Sequence, residues 1–149
     1  MRREATGKGS VSIEQRMDAP APEVARYVGY FRNAREWMVG VESVESLGDD
    51  SYRLSLETPF GTVEPEVNML EHGESRIRWI YTSAIEGGGQ VDVIPEGNGC
   101  LVTYLGEFHL KRRLIDRAAR LAGMERFARK NGERSLMRLK SLMEARRYL

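Results

Sequence analysis

The chain has 149 residues, 41% hydrophobic and 30% charged, with a formal net charge of +1. That is the length and composition of one globular domain with a real core, and it contains no apolar run of membrane-spanning length. The lone cysteine, Cys100, excludes an intrachain disulfide and fits a reducing, cytoplasmic location.

Residues 1–9 carry no apolar segment behind their arginines, so they do not read as a secretory signal. A flexible N-terminus is expected there, ahead of a single domain over residues 10–149. Val11, Ile13, Gln15 and Met17 alternate with Ser12, Glu14 and Arg16, the period of a first strand. Asp18-Ala19-Pro20-Ala21-Pro22-Glu23 ends it, and Pro22 suits the first turn of a helix. Helices are predicted over about Pro22–Tyr30 and Phe31–Trp37.

From Val41 to Leu110 the period is two, interrupted by turns. Strands are expected at Val41–Leu47, around Tyr52–Leu56, over Val63–Met69, around Ile77–Tyr81, at Val91 and Val93, and over Cys100–Phe108. Gly48-Asp49-Asp50, Thr58-Pro59-Phe60-Gly61, His72-Gly73-Glu74-Ser75, Glu86-Gly87-Gly88-Gly89 and Pro95-Glu96-Gly97-Asn98-Gly99 read as the breaks. Pro65 inside a strand points to an edge or a bulge. Six successive strands joined by short turns make an antiparallel meander with one face to be covered.

The cover is the stretch from Lys111 to Leu149, free of proline and rich in good helix formers. Leu114, Ala118, Leu121, Ala128, Gly132, Leu136, Leu139 and Met143 fall on one stripe at 100° per residue. Glu125 falls inside that stripe. A kink near Gly123 would turn it out, giving a short helix from Arg112 to about Ala122 and a long one over Met124–Arg147. From Lys111 onward there are 13 Lys and Arg against 4 Asp and Glu, whereas the first 110 residues hold 10 against 18. The basic helix reads as a solvated face, or as a weak docking surface for an anionic partner such as RNA, lipid or an acidic protein.

This order of elements resembles the helix-grip fold of the START-like, Bet v 1-like and polyketide cyclase/dehydrase (SRPBCC) superfamily. The resemblance rests on Val11-Ser12-Ile13-Glu14 leading into Ala19-Pro20-Ala21-Pro22-Glu23-Val24, and on Glu36-Trp37-Met38 leading into Val41-Glu42-Ser43-Val44-Glu45. It also rests on the helix ending Leu136 to Glu144. It spans roughly residues 10–147. It implies an α+β domain whose curved antiparallel sheet wraps a long C-terminal helix, with two short helices after the first strand. It also implies a cavity between sheet and helix for a lipid, polyketide, quinone or other hydrophobic molecule. A few members of the superfamily are enzymes.

The residues argue for a cavity independently. Ala128 and Gly132 leave a small-residue gap on an otherwise Leu-rich stripe. Facing it are Trp79, Tyr81, Tyr104 and Phe108, with Trp37 and Phe60 nearby and Val67, Met69 and Val93 on the same sheet face. Leu136 completes the expected lining. Apolar walls with a few polar tips suit a small-molecule pocket. If the gap is open space, Gly132→Leu should block a ligand while slightly stabilising the domain.

Catalytic signals are sparse. The chain has no serine elbow, no Gly-rich phosphate loop and no Cys-His pair. A cyclase or dehydratase would need an acid or base in the pocket, and the candidates are Tyr81, Tyr104, Glu66, Asp92 and His109. Alternation turns Glu66, Asp92 and His109 outward and the two tyrosines inward. Cys100, His72 and His109 match no metal-ligand spacing, so neither a metal nor a cofactor is expected. The primary reading is hydrophobic ligand binding. The alternatives are a cyclase/dehydrase-like enzyme and a protein- or RNA-interaction module built on the basic helix.

Overall fold

The computed structural model describes the backbone of residues 8–59, 61–109 and 117–146. Phe60, the expected helical residues 112–116 and Leu114 among them lie outside the described residues, as do the side chains of Ala118 and Leu121. The elements run β1 (Lys8–Met17), α1 (Ala21–Gly29), a 3-10 turn (Phe31–Asn33) and α2 (Ala34–Trp37). Then come β2 (Val41–Gly48), β3 (Ser51–Thr58), β4 (Gly61–Val63), β5 (Glu66–His72), β6 (Arg76–Tyr81), β7 (Glu86–Glu96), β8 (Gly99–His109) and α3 (Arg117–Ala145).

The sheet order is β1-β8-β7-β6-β5-β3-β2, with β4 adding to β3, and every pairing is antiparallel. β1 pairs with β8 along its whole length, from Lys8 opposite His109 to Met17 opposite Cys100. The first strand is thus laid beside the last, and α3 returns across β1. This is the α+β helix-grip fold: an open antiparallel sheet, short helices after its first strand, and one long helix against its concave face.

Local chemistry explains most element ends. Pro22 sits in the first turn of α1, where a missing N–H costs nothing. Asp49 and Asp50 both take positive φ, 50° and 62°, as the tight β2–β3 hairpin requires. The strand expected over Val63–Met69 is two strands, because Pro65 has no N–H to give to a ladder. Its carbonyl still accepts the Leu54 N–H at 2.9 Å, and β4 and β5 pair with successive parts of β3. Seven strands therefore follow α2 among the described residues, where six were expected.

Two further expectations are corrected. Gly87-Gly88-Gly89 does not break a strand but lies within β7, all three paired with β8 and Gly88 and Gly89 with β6 as well. Nor is the helix divided at Gly123: α3 is continuous from Arg117 to Ala145, and Glu125 stays half-buried. A helix-interior glycine costs only about 1 kcal/mol, which the packing of the following turns can absorb.

The core joins Val24 and Val28 of α1, Phe31, Trp37, Val67, Val91, Val93 and Val102 to Leu136, Leu139 and Met143 of α3. At its far end α3 is tied to β1 through Glu144, whose carboxylate accepts the Asp18 N–H at 2.8 Å and pairs with Lys140 at 3.1 Å. Arg126, Arg129, Lys130, Arg134 and Arg138 are exposed on the opposite face of α3. No helix among the described residues is long and apolar enough to cross a membrane.

Candidate functional site

The site begins with three glycines on the concave face of the sheet. Gly89 of β7 stands opposite Trp79 of β6 on one side and Gly106 of β8 on the other. A Cβ on Gly89 would meet Cζ2 of the Trp79 indole at 2.2 Å, so the ring lies flat in the space a side chain would fill. A Cβ on Gly106 would meet the Tyr104 hydroxyl at 3.0 Å. Gly87, with φ +134°, lets the chain pass where a Cβ would strike the Glu107 carbonyl at 2.0 Å. The glycines thus hollow the sheet and let the rings of its neighbours lean across it. Trp79 stacks at a tilt on Phe31, with centroids 5.6 Å apart, and faces Tyr104 at 6.5 Å.

Over this floor, the middle of α3 and the segment after α2 leave a cavity. Its volume is about 140 Å³, close to that of an apolar cavity that takes up one benzene-sized molecule. Trp37, Met38, Leu54, Leu56, Trp79, Tyr81, Tyr104, Phe108, Phe127, Ala128 and Gly132 are among its walls. Exposed Glu57 and Glu107 stand at its open rim. Ser135 and Asn131 hold the roof. The Ser135 hydroxyl accepts the Val39 N–H at 2.8 Å and donates to the Asn131 carbonyl at 2.6 Å, while the Asn131 amide donates to the Val39 carbonyl at 3.3 Å.

The electrostatics of the interior are those of neutral donors. Burial raises the Tyr104 phenol pKa well above its usual range, and the neighbouring Tyr81 adds to the effect. Burial also raises the Tyr81 pKa, slightly offset by the Trp79 indole N–H beside its hydroxyl. Trp79 Nε1 is buried without a hydrogen-bond partner among the described residues. Both phenols are therefore protonated at neutral pH.

Of the residues expected to line a pocket, Trp37, Trp79, Tyr81, Tyr104, Phe108, Ala128 and Gly132 meet around this cavity. Val67, Val93 and Leu136 are buried in the core, and Met69 packs against it, all away from the cavity walls. Phe60 lies outside the described residues. Gly132 borders the cavity, yet its own space is filled: a Cβ there would meet Ile13 Cδ1 at 2.5 Å and the Tyr104 ring at 3.3 Å. The small residue serves close packing of α3 on β1, so the expectation that Gly132→Leu would stabilise the domain is withdrawn.

Glu66 pairs with Arg53 at 3.2 Å, Asp92 with Arg76 at 2.5 Å, and His109 is exposed, so none of the three reaches the cavity. Sequence reasoning passed over Phe31, Phe127, Asn131, Ser135 and Gly106. Asn131 and Ser135 carried a readable signal, since two short polar residues four apart beside a buried stripe imply something to bond inside. Among the described residues no group of three or more His, Cys, Asp or Glu is placed to hold a metal ion.

Solved structures share this architecture. The Zhui aromatase/cyclase from Streptomyces sp. R1128 is 13% identical with a TM-score of 0.81, over 93% of this chain and 95% of that one. A START superfamily protein from Mycobacterium smegmatis is 14% identical with a TM-score of 0.74, over 93% and 98%. The di-domain ARO/CYC BexL of the BE-7585A biosynthetic pathway is 20% identical with a TM-score of 0.71, and this chain spans 50% of it. At these identities the likeness is one of fold. No curated protein matches the chain. The family model described as polyketide cyclase / dehydrase and lipid transport matches residues 8–144, and the chain belongs to that family.

Proposed function

We propose that the protein binds a hydrophobic or amphipathic small molecule in the cavity between its sheet and α3. The observation that carries this reading is the hollow itself. The glycines of β7 and β8 tilt aromatic rings around a space that α3 roofs but does not fill. Cavity-lining atoms lose the dispersion contacts a filled core would give them. A ligand restores those contacts and gains roughly 25 cal/mol for each Å² of apolar surface removed from water. The volume holds one aromatic ring or a short chain, and the open rim lets the rest of a larger molecule extend outward. The family description, which names both cyclase/dehydrase and lipid transport, agrees with a site of this kind.

Two measurements test it. Native mass spectrometry of freshly purified protein should show a co-purified small molecule, and Nile red should bind the native protein in a saturable way. Ala128→Phe, which puts a ring into the space from α3, should abolish Nile red uptake while the protein stays folded. Uptake unchanged in a folded Ala128→Phe protein would sink the reading.

Turnover is the second reading, and the protonated Tyr81 and Tyr104 hydroxyls favour it because a neutral phenol can act as an acid. Recovery of a chemically altered ligand after incubation would support it. Return of the ligand intact would leave binding alone.

A further inference from the structure

We propose that the Tyr81 and Tyr104 hydroxyls form a donor pair for an uncharged acceptor oxygen, a ketone, ester or quinone carbonyl, on the molecule in the cavity. This rests on the cavity-binding reading above. Both side chains line the cavity, and the polar neighbour of the Tyr81 hydroxyl, the Trp79 indole N–H, is a donor that leaves the phenol proton without an acceptor. A polar group in such a place is costly unless something bonds to it.

The sheet register brings both tyrosines to the Trp79 indole, and the two phenols are near enough to interact electrostatically. Tyr81 and Trp79 point to the same side of β6, while Tyr104 leans from β8 over Gly106, whose partner Gly89 lies under the Trp79 indole. Residues paired across antiparallel strands have Cβ positions about 4.5–5.5 Å apart. The Tyr104 hydroxyl over one glycine and the indole over the other are therefore neighbours. The indole N–H lies beside the Tyr81 oxygen. An N–H offers that phenol no acceptor, and the open side for its proton is the cavity.

The acceptor is neutral because the surroundings favour no anion. Among the described residues the cavity lining holds no Lys, Arg or His, and its carboxylates, Glu57 and Glu107, sit at the rim. A carboxylate or phosphate entering would cross that rim and meet aromatic faces with no countercharge. A carbonyl needs only the two phenol protons, which burial keeps in place.

The test compares fluorene, 9-fluorenone and fluorene-9-carboxylate, three probes of one ring frame, by competition against Nile red. Wild type should prefer fluorenone to fluorene by about tenfold, the worth of one or two net hydrogen bonds, and should bind the carboxylate most weakly. Tyr81→Phe with Tyr104→Phe should keep fluorene and lose the preference. The carbonyl stretch of bound fluorenone should fall in wild type as it does in hydrogen-bonding solvents. That reading decides the matter if the double variant does not fold. Equal affinity for fluorene and fluorenone, or a carboxylate that binds best, overturns this proposal and leaves cavity binding standing. Failure of all three probes to displace Nile red overturns both.

Discussion

The Trp79 indole occupies the volume above Gly89, so closely that a Cβ on Gly89 would lie 2.2 Å from Cζ2 of the ring. The tryptophan can lie flat and border a cavity only because its cross-strand neighbour has no side chain. Gly89→Ala should push the indole off its seat and into the free space. Overpacking of this kind costs about 1–3 kcal/mol, or a fall in Tm of roughly 2–12 °C for a domain of this size. Thermal unfolding monitored by tryptophan fluorescence checks it, and an unchanged Tm with an unchanged emission maximum would contradict the packing described.

Gly132 makes a second close approach, to Ile13 Cδ1 at 2.5 Å. Alanine at 132 gains about 1 kcal/mol of helix propensity but forces the isoleucine's terminal methyl aside. Combining Gly132→Ala with Ile13→Val removes that methyl. The double variant should be more stable than the sum of the two single changes, a coupling of order 0.5–3 kcal/mol. Gly132→Leu should destabilise outright. Additive effects in a double-mutant cycle would show that the two residues do not touch.

Leu139 is fully buried against the sheet, whereas Arg138 beside it is exposed. Leu139→Ala should cost about 2–5 kcal/mol, lowering Tm by roughly 4–20 °C. Arg138→Ala should stay within about 0.5 kcal/mol. Denaturant melts of the two proteins side by side test the phase of α3, and similar midpoints would refute it.

Glu144 links α3 to the end of β1. The Asp18 N–H, and then Lys140, hold its carboxyl below the usual carboxylate pKa. A depressed pKa in the folded state means that the unfolded chain binds the proton more readily. The stabilisation is therefore complete above the ordinary carboxylate pKa, about 4.3, and is lost as pH falls through the lower folded value. Glu144→Gln should reduce stability at pH 7, and the gap from wild type should close as pH drops below about 4. A gap that is constant from pH 7 to pH 3 would show that the charge contributes nothing.

Much of this architecture is legible in the order of the residues. Alternation placed the strands because a β-strand sends successive side chains to opposite faces. A 100° stripe placed Leu136, Leu139 and Met143 in the core because a buried helix must keep one apolar side. Those periods are local and survive without a partner. They also sort residues by face correctly: Val67, Val93, Trp79 and Tyr104 do share one side of the sheet. Periodicity carries no information on position along that face. Val67 and Val93 belong to the core with α1, while Trp79 and Tyr104 border the hollow. The difference arises from pairings such as β1 with β8 and from where α1 and α3 come to rest, contacts between residues that can be more than a hundred positions apart.

The glycines show the same divide most plainly. Gly87-Gly88-Gly89 has a composition that by itself favours a turn, and a strand tolerates it poorly. Within the sheet those residues are where backbones pass closely and where the Trp79 ring is seated, and the gain in packing outweighs the propensity. Gly132 likewise matches a cavity wall in sequence but meets Ile13 across the α3–β1 contact. A missing side chain reads the same whether it leaves space or yields it to a neighbour, and which of the two holds depends on a residue far away in the chain.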